Sequence, residues 1–351
     1  MISPPSSTTS VLLVRLSAMG DIVMASGLPS NIKSRFPDAN VTWLVESPYA
    51  SLVETHPAID NVIVWPRQHW RSLWKGRQYW QLFSAIRRFI NTLRIQQFDI
   101  AIDAQGLLKS ALFTWLSGAK QRIGFVSKER SHWLLTESVV KPLSPQISSE
   151  YRHLGQWLGA TDYSLTLGIL PEDIDYVNSL LQQHSIPTDY IAVAPFTTRP
   201  QKHWPVEHWK ALLTSIASEG KSIVVLGGPA ERLLAADLVN GIANCYVLAG
   251  ELSMRQSAAA ILLSRGLIGV DTGLTHMGTA LLTNTIALFG STIPYTQTDS
   301  SRTQVLFEAK PCSPCKRRPS CNQRFDCMKD LLPERVFEKV KQWNVHENMS
   351  R

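Results

Sequence analysis

Short apolar runs alternate along this chain with longer stretches in which apolar residues recur at helical spacing. Residues 11–16 read as a strand of the buried type, 17–21 as a turn and 22–36 as a helix that Pro37-Asp38 stops. Strands are predicted next at 41–45, 62–65, 99–103 and 122–125, with helices over 79–95, 105–116 and 150–159. Residues 164–171 read as an extended linker, after which the pattern restarts. It predicts strands at 190–194, 222–227, 246–248, 267–270 and 285–289. Helices are predicted over 171–184, 206–219, 230–240, 253–263, 274–282 and, closing the chain, 333–345. Such alternation implies α/β architecture, with parallel sheets covered by helices on both faces. No repeat of solenoid period interrupts it. The expectation is two Rossmann-like β/α/β domains, residues 1–168 and 169–351, each with its ligands at the carboxyl ends of its strands.

With 351 residues there is room for two cores, and 44% hydrophobic with 18% charged residues describes a folded chain rather than a disordered one. The net charge of +7 predicts an anionic partner, with nucleic acid, anionic lipid and phosphorylated glycolipid all open. No apolar run of 18 residues free of charge and turn residues is present, so no transmembrane helix is expected. The Ser/Thr/Pro-rich residues 1–10 lack a basic n-region and are expected to be a loose tail, not a signal peptide. These features favour the cytoplasm, with any membrane contact peripheral.

The unusual residues fall at strand ends. After the strand at 267–270, Asp271-Thr272-Gly273 turns into a helix carrying His276. Free N–H groups and the positive helix end make an anion site, for a nucleotide diphosphate above all. Thr272 and Thr275 offer hydroxyl donors, and Gly273 and Leu274 open the helix. An ordinary N-capped helix fits the same stretch. After the first strand, Gly20 permits a tight turn and Asp21 enters the first helical turn, placed to serve as a general base or merely to cap. Neither a G-x-G-x-x-G fingerprint nor a Walker motif occurs. Thr197 and Thr198 offer hydroxyls after the strand at 190–194, and Lys202 is a point charge suited to a pyrophosphate leaving group. Trp204 and Trp209 beside them read as core. Glu231, after Leu226-Gly-Gly-Pro-Ala, is placed to accept from a ribose.

Residues 65–80 hold four of the eleven tryptophans together with Arg67, Arg71, Lys75 and Arg77. That mixture suits anionic headgroups or single-stranded nucleic acid, and equally a basic loop with aromatics packed beneath it. Cys312-x2-Cys315-x5-Cys321-x5-Cys327 places four of the five cysteines within sixteen residues. Four thiols are candidates to close around a structural zinc, and Lys316, Arg317 and Arg318 would favour thiolates. Disulphides are disfavoured in a cytoplasmic chain. Cys245 stands alone and reads as core.

Leu16-Ser-Ala-Met-Gly-Asp21, Asp103-Ala-Gln-Gly-Leu-Leu-Lys-Ser110, Thr197-Thr198 with Lys202-His-Trp204, and Asp271-Thr-Gly-Leu-Thr-His276 together resemble the ADP-heptose:lipopolysaccharide heptosyltransferases of glycosyltransferase family 9 over residues 11–340. The resemblance implies a GT-B fold, its two domains facing a central cleft, and an inverting glycosyl transfer with no cofactor or metal for catalysis. It implies Asp21 as catalytic base, with Lys202 acting on the donor phosphates. Thr197, Thr198, Lys202, Glu231, Asp271, Thr272, Gly273, Leu274 and His276 match the family's donor pocket. Lys109 and the basic Arg67 and Arg71 match the acceptor side. The implied partners are ADP-heptose and a lipid A-Kdo glycolipid, met at the cytoplasmic face of the inner membrane of a Gram-negative bacterium. Nucleic acid is then not a partner. The rival readings are a family 9 enzyme with another sugar or acceptor, and a catalytically dead nucleotide-sugar-binding scaffold at the membrane.

Overall fold

The structure, a computed structural model, describes residues 9–291, 296–298, 300–315 and 318–343. The chain divides into two compact units. The first comprises Met1–Leu143 and Ser148–Gly168, the second Ser144–Ile147 and Ile169–Arg351.

The first unit is a six-stranded parallel sheet: β1 (Ser10–Val14), β2 (Asn40–Glu46), β3 (Asn61–Trp65), β4 (Ile100–Asp103), β5 (Gln121–Phe125) and β6 (Glu137–Val139). Its spatial order is β3-β2-β1-β4-β5-β6. The second unit has β7 (Tyr190–Ala194), β8 (Ser222–Val225), β9 (Cys245–Val247), β10 (Gly266–Val270), β11 (Thr285–Phe289) and β12 (Thr303–Phe307), all parallel, in the order β12-β11-β10-β7-β8-β9. Counted within each unit, both sheets run third, second, first, fourth, fifth, sixth. The order therefore reverses between β1 and β4, and again between β7 and β10, and each reversal opens a crevice at the strand ends.

The central strands are apolar on both faces because helices cover both faces. In β1 Val11 and Leu13 join one core with Trp43 and Phe125, while Leu12 and Val14 join the opposite one with Phe89 and Phe113. The second unit buries Trp204 against Trp209, ring centroids 5.0 Å apart and edge to face, as their reading as core requires.

Several boundaries differ from expectation for identifiable reasons. The helix predicted over 22–36 is two helices, Met19–Ala25 and Leu28–Arg35. Residues 163–166 wedge against the break: the Tyr163 hydroxyl donates to the Met24 carbonyl at 2.7 Å, and Thr166 N–H donates to Ser26 Oγ at 2.9 Å. A Cβ on Gly27 would lie 2.7 Å from the Ser164 carbonyl oxygen. The helix expected at 105–116 begins only at Leu108, because the N–H groups of Gln105 and Gly106 are taken by Asp103 Oδ1 at 2.9 and 3.0 Å. A helix unforeseen in the basic Trp-rich stretch, Arg67–Lys75, forms as Trp70 packs edge to face on Trp65 and Phe89. The outermost strands β6 and β12 were also unforeseen. Residues 344–345 of the predicted closing helix lie outside the described residues, as do residues 1–8, Lys316 and Arg317. Among the described residues no helix is long and apolar enough to cross a membrane.

Candidate active site

In the second unit β7 and β10 lie side by side, with Ala194 opposite Gly269, so the loops that follow them meet. Lys202 comes from the first loop and Asp271 from the second. Their charged atoms are 2.6 Å apart, and both side chains are largely buried, 16% and 10% exposed. His276, one turn into the helix Gly273–Ala280, brings Nε2 to 3.5 Å from the other Asp271 oxygen. Burial pushes the Asp271 carboxyl up, but the hydrogen bond and charge of His276 and the charge of Lys202 outweigh it and hold the group well below the usual carboxylate range. Asp271 is thus a fixed negative charge at neutral pH. Thr272 occupies the N-cap position without a side-chain capping bond. Gly273 is buried and Leu274 half-buried behind it.

Thr275 is a correction. Its hydroxyl donates to the Val270 carbonyl at 2.6 Å and is fully buried, so it closes the strand–helix turn and is not available to an anion. Thr197 is half-buried and Thr198 exposed in the same loop as Lys202. Glu231 Oε2 accepts from the Gly228 N–H at 2.8 Å, which folds the loop after β8 and commits one of its two oxygens.

In the first unit Val14 of β1 lies opposite Asp103 of β4, and the corresponding loops meet there. Leu16 N–H donates to Gln105 Oε1 at 3.0 Å. Asp21 sits in the first turn of the helix Met19–Ala25, accepts from Ala18 N–H at 3.3 Å, and pairs with Arg15 Nη2 at 2.7 Å. Its side chain is 39% exposed, whereas that of Arg15 is 6% exposed. Arg15 was missed in the sequence; the signal was a cation inside an otherwise apolar strand run.

Two of the three expected acceptor-side cations converge. Lys109 Nζ and Arg67 Nη1 each lie 3.2 Å from a carboxylate oxygen of Glu46, a nearly buried residue at the end of β2. Both cations also lie over the Trp65 ring, at 5.6 and 5.8 Å from its centroid. Arg71, one turn along the helix Arg67–Lys75, is exposed and does not join them. Glu46 carried no sequence signal beyond its place at a strand end.

Residues 86–325 match the family description "Glycosyltransferase family 9 (heptosyltransferase)". The chain belongs to glycosyltransferase family 9. Among its relatives, lipopolysaccharide heptosyltransferase 1 of Pseudomonas aeruginosa is 30% identical, over 94% of this chain and 97% of the relative. A solved structure of the Escherichia coli heptosyltransferase WaaC with ADP-2-deoxy-2-fluoro heptose covers 97% of this chain and 100% of its own, with 25% identity and a TM-score of 0.71. A family 9 glycosyltransferase from Veillonella parvula reaches a TM-score of 0.83 at 18% identity, covering 96% of this chain and 98% of its own. The α/β GT-B class expected from the sequence holds, and the protein is a family 9 glycosyltransferase.

In this family 9 enzyme the four clustered cysteines are free thiols. Among the described residues no group of three or more His, Cys, Asp or Glu side chains is arranged to hold a metal ion. The thiols nonetheless act on one another: burial, then the neighbouring Cys315, Cys312 and Cys321, push the Cys327 thiol up to about 11. Cys245, at the start of β9, is half-buried, and burial pushes its thiol up to about 11 as well.

Proposed function

We propose that this enzyme moves L-glycero-D-manno-heptose from ADP-heptose to the Kdo or heptose of the lipopolysaccharide inner core, with inversion and without a catalytic metal. The donor belongs to the second unit and the acceptor to the first. Asp21 takes the proton of the acceptor hydroxyl as that oxygen attacks the anomeric carbon from the face opposite ADP. Lys202 and the N–H groups opening the helix Gly273–Ala280 stabilise the charge that develops on the departing pyrophosphate. Lys202 is held by Asp271 before the donor arrives and turns toward the phosphates as they gain charge. Thr197, Thr198, Thr272 and the free oxygen of Glu231 contact the rest of the nucleotide sugar. The observation that carries this reading is the placement of Asp21: a carboxylate open to solvent, at the break in strand order, clamped by a buried cation.

Lys109, Arg67 and Arg71 face the phosphorylated lipid A-Kdo acceptor. Trp74, Tyr79, Trp80 and Phe83 are all exposed, among Arg71, Lys75, Arg77 and Arg87. That composition supports peripheral contact with the anionic cytoplasmic face of the inner membrane. A structural zinc at the cysteine cluster rests on the spacing of the four thiols alone; among the described residues the side chains are not arranged to hold a metal ion. About one zinc per chain in reductively purified protein supports this, and metal-free protein of unchanged stability removes it.

Purified protein given ADP-heptose and Kdo-lipid A is expected to yield a product heavier by one heptose in mass spectrometry. A strain lacking the gene is expected to make a core truncated at the inner heptose region. No turnover with ADP-heptose, together with a complete core in that strain, would sink the assignment.

A further inference from the structure

Arg15 is buried at the end of β1, and its backbone is pinned on both sides. Its carbonyl accepts from Trp43 Nε1 at 3.0 Å, and its N–H donates to the Leu44 carbonyl at 3.3 Å. The guanidinium is placed as firmly: Nη1 donates to the Ala104 carbonyl at 3.1 Å, and the Tyr151 ring lies 5.6 Å from its central carbon. Nε and the Tyr151 hydroxyl are both buried without a hydrogen-bond partner among the described residues. Among the described residues Asp21 is the carboxylate within ion-pair distance, at 2.7 Å. Asp103, the last residue of β4, spends Oδ1 on two backbone N–H groups instead. An arginine does not shed its proton, and a buried guanidinium left unanswered is costly, so this cation constrains where Asp21 rests.

We propose that Arg15 is a positioning residue for the transfer reaction: it fixes the Asp21 carboxylate in one place and orientation before the acceptor arrives. The proposal rests on Asp21 being the base. Charged and titratable groups facing the pair come from three other elements: Asp103 from β4, Glu150 and Tyr151 from the helix Ser149–Trp157, and Tyr49 after β2. Glu150 is itself answered by Lys141 at 3.1 Å. Arg15 is therefore the cation that acts directly on Asp21.

The test compares Arg15→Met, Arg15→Lys and Asp21→Asn in steady-state kinetics with donor and acceptor varied separately, with ADP affinity and melting temperature measured on each. Arg15→Met is expected to lose between ~10- and ~10²-fold in kcat, the scale of a misplaced catalytic group, with the KM values for donor and acceptor nearly unchanged. Arg15→Lys is expected to restore only part of kcat, because an ammonium does not span Ala104 and Asp21 as a planar fork does. An Arg15→Met protein with wild-type kcat, beside an inactive Asp21→Asn, would overturn this inference alone. An active Asp21→Asn would overturn the base itself. Should Arg15→Met not fold, Arg15→Lys decides: a wild-type kcat in that variant is the overturning result.

Discussion

At the break in strand order of the first unit, a cation only 6% exposed holds a carboxylate that is 39% exposed. At the equivalent break in the second unit the carboxylate is 10% exposed, and its cation, at 16%, reaches out of the next loop. The same sheet topology thus presents two ion pairs built in opposite senses. In the first, the fixed partner is the arginine and the carboxylate meets solvent, which suits a group that must exchange protons. In the second, the carboxylate is fixed by His276 and Lys202 and does not take up a proton near neutral pH. What the proposed reading leaves to meet the donor there is the lysine and the helix opening. A strand-end aspartate is therefore not a role in itself; its own exposure, 39% against 10%, separates the proposed base from the proposed anchor.

The sharpest separation comes from Asp21→Ala. Turnover is expected to fall between ~10²- and ~10⁴-fold, the range for a lost general base, with ADP affinity and melting temperature unchanged. Equal losses of turnover from Asp271→Asn, with unchanged stability, would erase the division between the two pairs. Lys202→Ala is expected to cost ~10²-fold in kcat and much less in ADP affinity, because its charge matters most as the glycosidic bond breaks. Isothermal titration with ADP beside single-turnover kinetics reads both quantities.

The second pair also leaves a signature in stability. The folded Asp271 carboxyl titrates below its unfolded value of about 3.9, so between the two values the unfolded chain binds more protons. The pair's contribution is fully present above about pH 4 and is lost as pH falls through the depressed folded value. Asp271→Asn is expected to remove about 2 kcal/mol at neutral pH, below the range for a fully buried pair because Lys202 keeps some exposure. It should also flatten the acid dependence of the urea midpoint. The smallest effect is expected from Arg67→Ala with Arg71→Ala: KM for the lipid acceptor rises by about 3- to 10-fold and the increment shrinks with salt, on the scale of exposed charge pairs. A rise in KM for the nucleotide sugar instead would reverse the assignment of the two units.

Strands such as β7 and β11 were legible to the residue because apolar runs on both faces have no other use in an α/β fold. The helix Tyr79–Ile95 was equally plain from its spacing. What stayed hidden depended on distant partners. The break at Gly27 is set by Tyr163 and Ser164, more than 130 residues away. Strand β6 has three residues at a sheet edge, too short for a period to register. Asp21, Lys202 and Asp271 were each nameable as strand-end polar residues, but the sequence paired none of them with its partner. Thr275 looked like a ligand donor because local sequence does not say whether a hydroxyl turns outward or back to the strand. Trp74 stands exposed while Trp70 packs on Phe89, a split that depends on which face the unforeseen helix Arg67–Lys75 turns inward.

Glu46 answers Lys109 and Arg67 at once, each at 3.2 Å, from a position only 8% exposed. A single anion shared by two cations makes the pair of cations mutually substitutable as its neighbours. Loss of either leaves the carboxylate still paired, and loss of both leaves it bare in a nearly buried place, which is strongly destabilising. The two positions are therefore coupled across a separation of 42 residues in sequence (109 − 67). For stability alone, each can change while the other is kept, and that penalty appears only when both have changed. A lineage can pass through many forms of this surface and still be unable to reach the one that lacks both charges, unless Glu46 changes first.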